Sequence, residues 1–212
     1  MSNAGAFGVR PATEDDLGAV CAIINHFIKG TVSNFRTEPQ SVDDWRQSWA
    51  RLHERFPWLV ATDVDRVAGI AYAAPWNERA AYQWTVETTV YVDAGTHRRG
   101  VGHALYTDML SRLRTQGFRS ALAVIGLPNS PSVRLHERHG FSQVGQLVDA
   151  GFKFGAWRDV GLWQRQLQDG GQPRRAPLTV QASGSELRTC VPAGFRRSGR
   201  RGSNSRPSAW ET

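Results

Sequence analysis

The densest run of strand-forming residues in the chain is Val86-Glu87-Thr88-Thr89-Val90-Tyr91-Val92, β-branched or aromatic at nearly every position and interrupted by one carboxylate. It predicts a buried strand. After a basic turn, Thr96-His97-Arg98-Arg99-Gly100, the apolar period changes: Val101, Leu105, Met109, Leu110 and Leu113 recur at helical spacing to about Gln116, with Gly117 placed as a C-cap. Upstream, Gly8 to Ala12 predicts a short strand, and Thr13-x-x-Asp16 a capping box opening a helix with Leu17, Val20, Ile23, Ile24, Phe27 and Ile28. A second box, Ser41-x-x-Asp44, starts a helix to about Arg55 with Trp45, Trp49 and Leu52 on one side. Strands at 58–61 and 67–73 are joined by an acidic turn, and a loop over 75–82 leads to the central strand.

Downstream, Ala121 to Ile125 reads as another buried strand, followed by a helix around His136. Strands at 140–147 and 160–167 are separated by a Gly/aromatic loop, Gly151 to Trp157. Strands interleaved with helices imply an α/β fold, a sheet with helices on both faces.

Composition narrows the picture. The chain has 212 residues, 40% of them hydrophobic, and eight tryptophans, enough for one well-packed domain. Its +7 charge is unevenly placed: residues 170–212 hold eight Arg against two Glu, and the remainder 18 Lys and Arg against 17 Asp and Glu. The domain proper, 8–168, is therefore almost neutral, which argues against nucleic acid as its partner. Residues 169–212 are rich in Gly, Arg, Ser and Pro without apolar period, the composition of a disordered tail. Its run Arg196 to Gly202 suits an acidic surface or RNA, or is simply an extension. Residues 1–7, with Met1-Ser2-Asn3-Ala4 reading as a cloning remnant, are set apart from the domain. Two cysteines, Cys21 and Cys190, make no disulfide framework; with no long apolar run or signal pattern, a cytoplasmic protein with no membrane contact is expected. Of six histidines only His136 and His139 are close, at i,i+3, and no metal site is expected.

The strand–turn–helix unit carries the chemistry. A glycine-bearing turn feeding a helix N-terminus offers unpaired N–H groups and the positive end of the helix dipole, and Arg98 and Arg99 add charge beside it. This suits a phosphate-rich cofactor, although a glycine-softened turn before a surface helix would look the same. A P-loop lacks its Lys-Ser/Thr pair here, and the dinucleotide fingerprint lacks its third glycine, Leu105 standing in its place. Glu87, a lone carboxylate in an apolar strand, is a candidate base whose pKa burial would raise; alternation also allows it to face solvent.

His97-x-x-Gly100-x-Gly102 resembles the pyrophosphate loop of the GCN5-related N-acetyltransferases, whose first position is usually Gln or Arg. Asn129-x-x-Ser132-x-x-x-His136-Glu137-x-x-Gly140-Phe141 resembles a second motif of that family, with His136 where a Tyr is usual. The resemblance implies the family's fold, a mixed sheet in which two parallel strands splay apart around acetyl-CoA. It implies cofactor contacts from Val90, Tyr91, Val92, His97, Arg98, Arg99, Gly100, Val101, Gly102, His103, Asn129 and Ser132. Glu87 is then the base that takes the amine proton, and His136 the proton donor beside the leaving thiolate or a second base; a surface histidine is the alternative. The stretches 34–39, 84–92, 125–129 and 159–163 together are similar to the branch of the family that acetylates the α-amine of phosphinothricin, a glutamate-like methylphosphinate. By position, Phe35, Arg79, Tyr82, Thr89 and Val160 would line that pocket, with Arg79 gripping the phosphinate or carboxylate. Phe35 could equally be a loop anchor. Relatives acting on methionine sulfoximine or sulfone share much of the pattern, and a non-catalytic acyl-CoA- or RNA-binding module is the reading of another class. A homodimer is expected from the family.

Overall fold

The computed structural model describes residues 7–64, 66–172 and 176–180, with the backbone of 188–189. Seven strands form one sheet: β1 (Gly8–Pro11), β2 (Trp58–Asp63), β3 (Arg66–Pro75), β4 (Thr85–Val92), β5 (Ser120–Gly126), β6 (Ser142–Lys153) and β7 (Ala156–Gln166). Their spatial order is β1-β2-β3-β4-β5-β7-β6. Neighbours are antiparallel except β4 and β5, which are parallel and so need the crossover that helix α3 (Val101–Gln116) supplies. Helices α1 (Leu17–Gly30) and α2 (Val42–Leu52) precede β2, and α4 (Ser130–Arg138) lies between β5 and β6.

Strand alternation splits the core into two layers. Leu59, Ala61, Ala71, Ala73 and Val86 pack under α3 with Leu105, Met109 and Leu113. Trp58, Val60 and Ile70, from the opposite positions, pack under α1 and α2 with Ile24, Ile28 and Trp45. The expected sheet with helices on both faces is what the chain forms. The Ser41–Asp44 box is complete: Asp44 N–H donates to Ser41 Oγ at 3.1 Å and Ser41 N–H to Asp44 Oδ2 at 2.8 Å. At Thr13–Asp16 the chain makes a short 3₁₀ turn (Glu14–Asp16) before α1, because Asp16 also accepts both prongs of Arg10 at 2.6 and 2.7 Å. Gly117 caps α3 with φ +92°, as its position suggested.

Two expectations change. The Gly151–Trp157 stretch is mostly strand: β6 and β7 run on into a long hairpin turned by Phe154 and Gly155, at φ +52° and +74°. The pattern was unreadable because Val144, Leu147, Val148 and Phe152 on β6 are all exposed, so burial imposes no alternation. The segment beyond 169 also touches the domain. Leu178 is buried in β8 (Leu178–Thr179), which pairs with β9 (Arg188–Thr189); Gln116 Nε2 donates to its carbonyl at 2.8 Å, and Val180 N–H donates to Glu54 O at 2.7 Å. Residues 1–6, Cys190 and the run Arg196 to Gly202 lie outside the described residues. Among those described, no helix is long and apolar enough to cross a membrane, and no cluster of three His, Cys, Asp or Glu is placed to hold a metal.

Candidate active site

The parallel strands β4 and β5 pair only at Thr85–Ser120, Val86–Ala121 and Glu87–Leu122. Beyond that point β4 stays on β3 as far as Val92, and β5 stays on β7 as far as Gly126. The two strands therefore part into a wedge. Its facing backbone edges, Thr88–Val92 and Ala123–Gly126, have no strand partner, and such groups need another ligand.

At the mouth of the wedge stands the N-terminus of α3. Gly100 takes φ +90° as its N-cap, and the first helical bond runs from Ala104 N–H to Gly100 O. The N–H groups of Val101, Gly102 and His103 are thus left without intrahelical acceptors, and no side chain caps them. A Cβ on Gly100 would meet nothing within 4 Å, so the backbone there is open to approach. Gly102 closes in instead: its Cβ would sit 3.1 Å from Leu135 of α4 and 3.5 Å from Val92. This arrangement takes an anion by backbone donors and dipole together.

The side chains around the loop divide. Arg98 is exposed, at φ +61°. Arg99, also exposed, pairs with Asp63 at 2.8 Å and lies over the Phe7 ring. His97 turns its Nε2 to the Val92 carbonyl at 3.1 Å, tying the loop to the end of β4. His103 Nδ1 lies 3.0 Å from His139 Nε2. Asn129, expected along the cofactor path, caps α4 by accepting from Ser132 N–H at 3.3 Å and donates to Ser33 Oγ at 3.1 Å.

Alternation along β4 decides where Glu87 points. Val86, Val90 and Val92 join the α3 layer, whereas Tyr91 joins the α1 layer. Glu87, Thr89 and Tyr91 consequently share the α1 face, together with Tyr72, which is hydrogen-bonded to Thr89. Glu87 is half-buried and has no hydrogen-bond partner among the described residues. Desolvation pushes its carboxyl above the usual carboxylate range. The solvent-facing alternative is thereby set aside.

Thr88 points the other way and builds the floor of the wedge. Its hydroxyl donates to Leu122 O at 3.1 Å and lies 3.2 Å from the Tyr106 hydroxyl. His136 donates from Nδ1 to Ser132 O at 2.7 Å, so its Nε2 accepts from Tyr106 at 2.7 Å. Burial lowers the His136 pKa and keeps the ring neutral. His136 is 3% exposed, with both ring nitrogens hydrogen-bonded, one to Ser132 and one to Tyr106. The group it holds, Tyr106, escaped the sequence reading because its place in α3 looks like one more core position. Burial raises the Tyr106 pKa well above the ordinary phenol, so it stays a neutral donor.

The substrate-pocket candidates fall into two places. Phe35 is clasped at the open end: a Cβ on Gly126 would lie 3.2 Å from its ring, and one on Gly151 2.9 Å. Val160 is buried beside it as the strand partner of Gly126. Tyr91 joins this group, accepting from Asn34 Nδ2 at 2.9 Å. Arg36, next in the chain, acts on both Tyr72 and Tyr91 through its charge, a cation the sequence reading passed over. Arg79 and Tyr82 are exposed on the β3–β4 connection, where Arg79 N–H donates to Asn77 Oδ1 at 2.9 Å.

The buried histidines also set the acid stability. His139 is 8% exposed with its pKa lowered to about 4, by burial first and then by the charges of His103 and Arg165. The unfolded chain binds that proton near pH 6.5, the folded one only near 4, so stability falls as pH drops through this window, by about 1.4 kcal/mol per unit. His136 adds in the same direction. Thermal melts between pH 7 and 4 should show the decline, and a His139→Gln variant should flatten it.

The model of the acetyltransferase (GNAT) family matches residues 22–141. A phosphinothricin N-acetyltransferase from Streptomyces viridochromogenes is 54% identical over 166 residues, covering 78% of this chain and 91% of that protein. An L-methionine sulfoximine/L-methionine sulfone acetyltransferase from Pseudomonas paraeruginosa is 34% identical over 162 residues, covering 75% and 94%. Among solved structures, a GNAT superfamily phosphinothricin acetyltransferase from Sinorhizobium meliloti, in complex with acetyl-CoA, superposes with TM-score 0.78 at 30% identity, covering 81% of this chain and 95% of that one. A splayed β4–β5 pair, an uncapped helix N-terminus at its mouth and a match over most of the domain agree: the chain belongs to the acetyltransferase (GNAT) family.

Proposed function

We propose that this protein transfers an acetyl group from acetyl-CoA to the α-amine of phosphinothricin. The single observation that carries the reading is Glu87, a desolvated carboxylate without a partner, next to a backbone wedge open for a ligand. The residues fit acetyl-CoA: the N–H groups of Val101, Gly102 and His103 and the Arg98 charge suit its pyrophosphate, Asn129 and Ser132 at the start of α4 flank its path, and the free edge Val90–Tyr91–Val92 suits its pantetheine arm. Bound there, the cofactor supplies a thioester acetyl group at the floor of the wedge.

The chain's own residues supply the rest. Glu87 accepts a proton from the ammonium of the substrate, directly or through a water; its raised pKa brings it closer to the amine's, near 7.7–8.0 in peptides, which makes the transfer less uphill. The free amine nitrogen then forms the C–N bond as the C–S bond breaks. Backbone N–H groups of β4 stabilise the oxygen on which charge develops. The thiolate leaves with the proton that the amine nitrogen gives up, and Tyr106, which donates to His136 and lies 3.2 Å from the Thr88 hydroxyl, completes the buried floor beneath the wedge. Phe35, Thr89 and Val160 wall the substrate, and Arg36 or Arg79 holds its phosphinate by a charge-assisted grip.

The 54% identity to a phosphinothricin N-acetyltransferase favours phosphinothricin over the methionine derivatives, whose acetyltransferase is similar at 34%. Acetylation of its amine would inactivate the compound, so the role is resistance by detoxification, in the cytoplasm where acetyl-CoA is found. We also infer a homodimer, for which the exposed apolar residues Val144, Leu147, Val148 and Trp157 of the β6–β7 hairpin are the support; light scattering on the full chain tests it. The function is tested by thiol release from acetyl-CoA with L-phosphinothricin, methionine sulfoximine, methionine sulfone and glutamate in parallel. The highest kcat/KM is expected for phosphinothricin. A win for the sulfoximine would overturn the pocket reading alone, and turnover of none would overturn the substrate class.

A further inference from the structure

Lys153 is 5% exposed, and among the described residues its ammonium makes no ion pair. All three of its donors go to main-chain carbonyls: Ile28 O at 2.6 Å, Thr31 O at 3.0 Å and Asn34 O at 2.6 Å. Ile28 and Thr31 mark the C-terminal end of α1, where orphan carbonyls and the negative end of the helix dipole favour a cation. Asn34 immediately precedes Phe35 and Arg36. One buried side chain at the tip of the β6–β7 hairpin thus spans about 120 residues of sequence to hold the loop that reaches over the wedge.

A second observation, independent of the first, comes from the same strand. Two residues before Lys153, Gly151 supports the Phe35 ring so closely that a Cβ would lie 2.9–3.1 Å from three of its atoms. The loop also meets the sheet directly: a Cβ on Gly126 would lie 2.5 Å from Val32 O, and the Tyr91 hydroxyl donates to Ser33 O at 3.4 Å. Its own amides at Ser33 and Arg36 are satisfied by Thr31 Oγ1 at 3.1 Å and Asn34 Oδ1 at 2.8 Å, bonds that shape the turn without fixing it to the sheet. Its bonds to the sheet and to α4 run through Tyr91 and Asn129.

We propose that Lys153 is the positioning residue of the amine pocket: its three-carbonyl tether and the Gly151 seat place Phe35 and Arg36, so the hairpin tip governs recognition of the acceptor amine, the loop's link toward the acetyl-CoA path being the Ser33–Asn129 hydrogen bond. A lysine suits this place, since an ammonium offers three donors from one atom, whereas a planar guanidinium cannot converge on three carbonyls in the same way. The kinetic side of the proposal rests on the acetyl-transfer reading above; the tether itself does not.

The experiment therefore has two arms. Hydrogen exchange on the full-length chain compares wild type with Lys153→Met, reading the amides of 31–36 against those of α3. Faster exchange confined to 31–36 is expected; unchanged exchange there overturns the tether whatever the enzyme acts on. Steady-state kinetics then read KM for phosphinothricin and for acetyl-CoA separately. Losing charged hydrogen bonds to the loop should raise the amine KM about tenfold or more with acetyl-CoA KM within about twofold. Equal rises in both overturn a positioning role in favour of a general structural one. Lys153→Arg, expected to fall between wild type and Met, serves if the Met variant does not fold. Gly151→Ala, which keeps the lysine and displaces only the ring, should raise the amine KM without loosening 31–36. If wild type turns over none of the amines, the substrate reading has failed, and exchange alone decides the tether.

Discussion

Glu87→Gln is expected to lower kcat/KM for the amine by about 10²–10⁴-fold, the range a positioned general base supplies, with the affinity for acetyl-CoA unchanged. The amide fills the same space on the α1 face of β4 but cannot take a proton, so the loss reports chemistry rather than packing. Two pH signatures separate this from a folding defect. The wild-type acid limb should lie above the ordinary carboxylate range, because desolvation raises the Glu87 pKa and activity needs the charged form; rate therefore falls as pH drops through that raised value, and the variant loses the limb. Stability runs the other way. With its folded pKa raised above that of an ordinary glutamate, Glu87 binds a proton more readily folded than unfolded, so its burial penalty is relieved as pH falls and is fully present above the raised pKa. The Gln variant should be as stable as wild type at neutral pH, or more so. A variant that keeps most of its kcat/KM would remove Glu87 as the base.

The other large effect belongs to Gly100→Val. The residue sits at φ +90°, where a β-branched side chain costs roughly 1–3 kcal/mol, and the new methyls would occupy the open space in front of the free N–H groups of α3. Affinity for acetyl-CoA should weaken by about tenfold or more, since each 1.4 kcal/mol is a factor of ten. The opposite end of the same helix provides the control. Gly117 has φ +92° and also nothing within 4 Å of an added Cβ, so Gly117→Val carries similar backbone strain at a place with no ligand. Melting temperature should drop in both variants, and acetyl-CoA binding, read by calorimetry, in the first alone. Equal affinities in the two variants would detach the pyrophosphate from this loop.

Much of the scaffold was legible in the chain because the signals involved are local. A change from strand to helical period between Val92 and Val101, capping residues at Ser41 and Asp44, and a glycine at the end of α3 each act within one or two turns of backbone. The same holds for the anion site, which needs only a turn, a glycine and the helix behind it. The length of the hairpin was less legible for the opposite reason: β6 is exposed along most of its length, Lys153 being its one buried residue, so burial imposes little pattern on it, and the chain turns at Phe154 and Gly155. Leu178 likewise lies in a segment of disordered composition, and one glutamine from α3, buried 62 residues earlier in the chain, holds its carbonyl.

The sequence by itself determined which residue types stand beside which turns, and hence the α/β layering, the glycine-bearing turn at the start of α3 and the presence of one carboxylate in an apolar strand. Only the tertiary structure decided what those groups are free to do. Arg99 meets Asp63, Asn129 caps α4, and His136 bridges Tyr106 and Ser132, whereas Glu87 has no hydrogen-bond partner among the described residues. Lys153 is tied to carbonyls some 120 positions away. Hydrogen-bond donors and charges are consumed by whatever the fold brings within about 3 Å, and that proximity is a property of the packed chain, which no spacing along the sequence encodes.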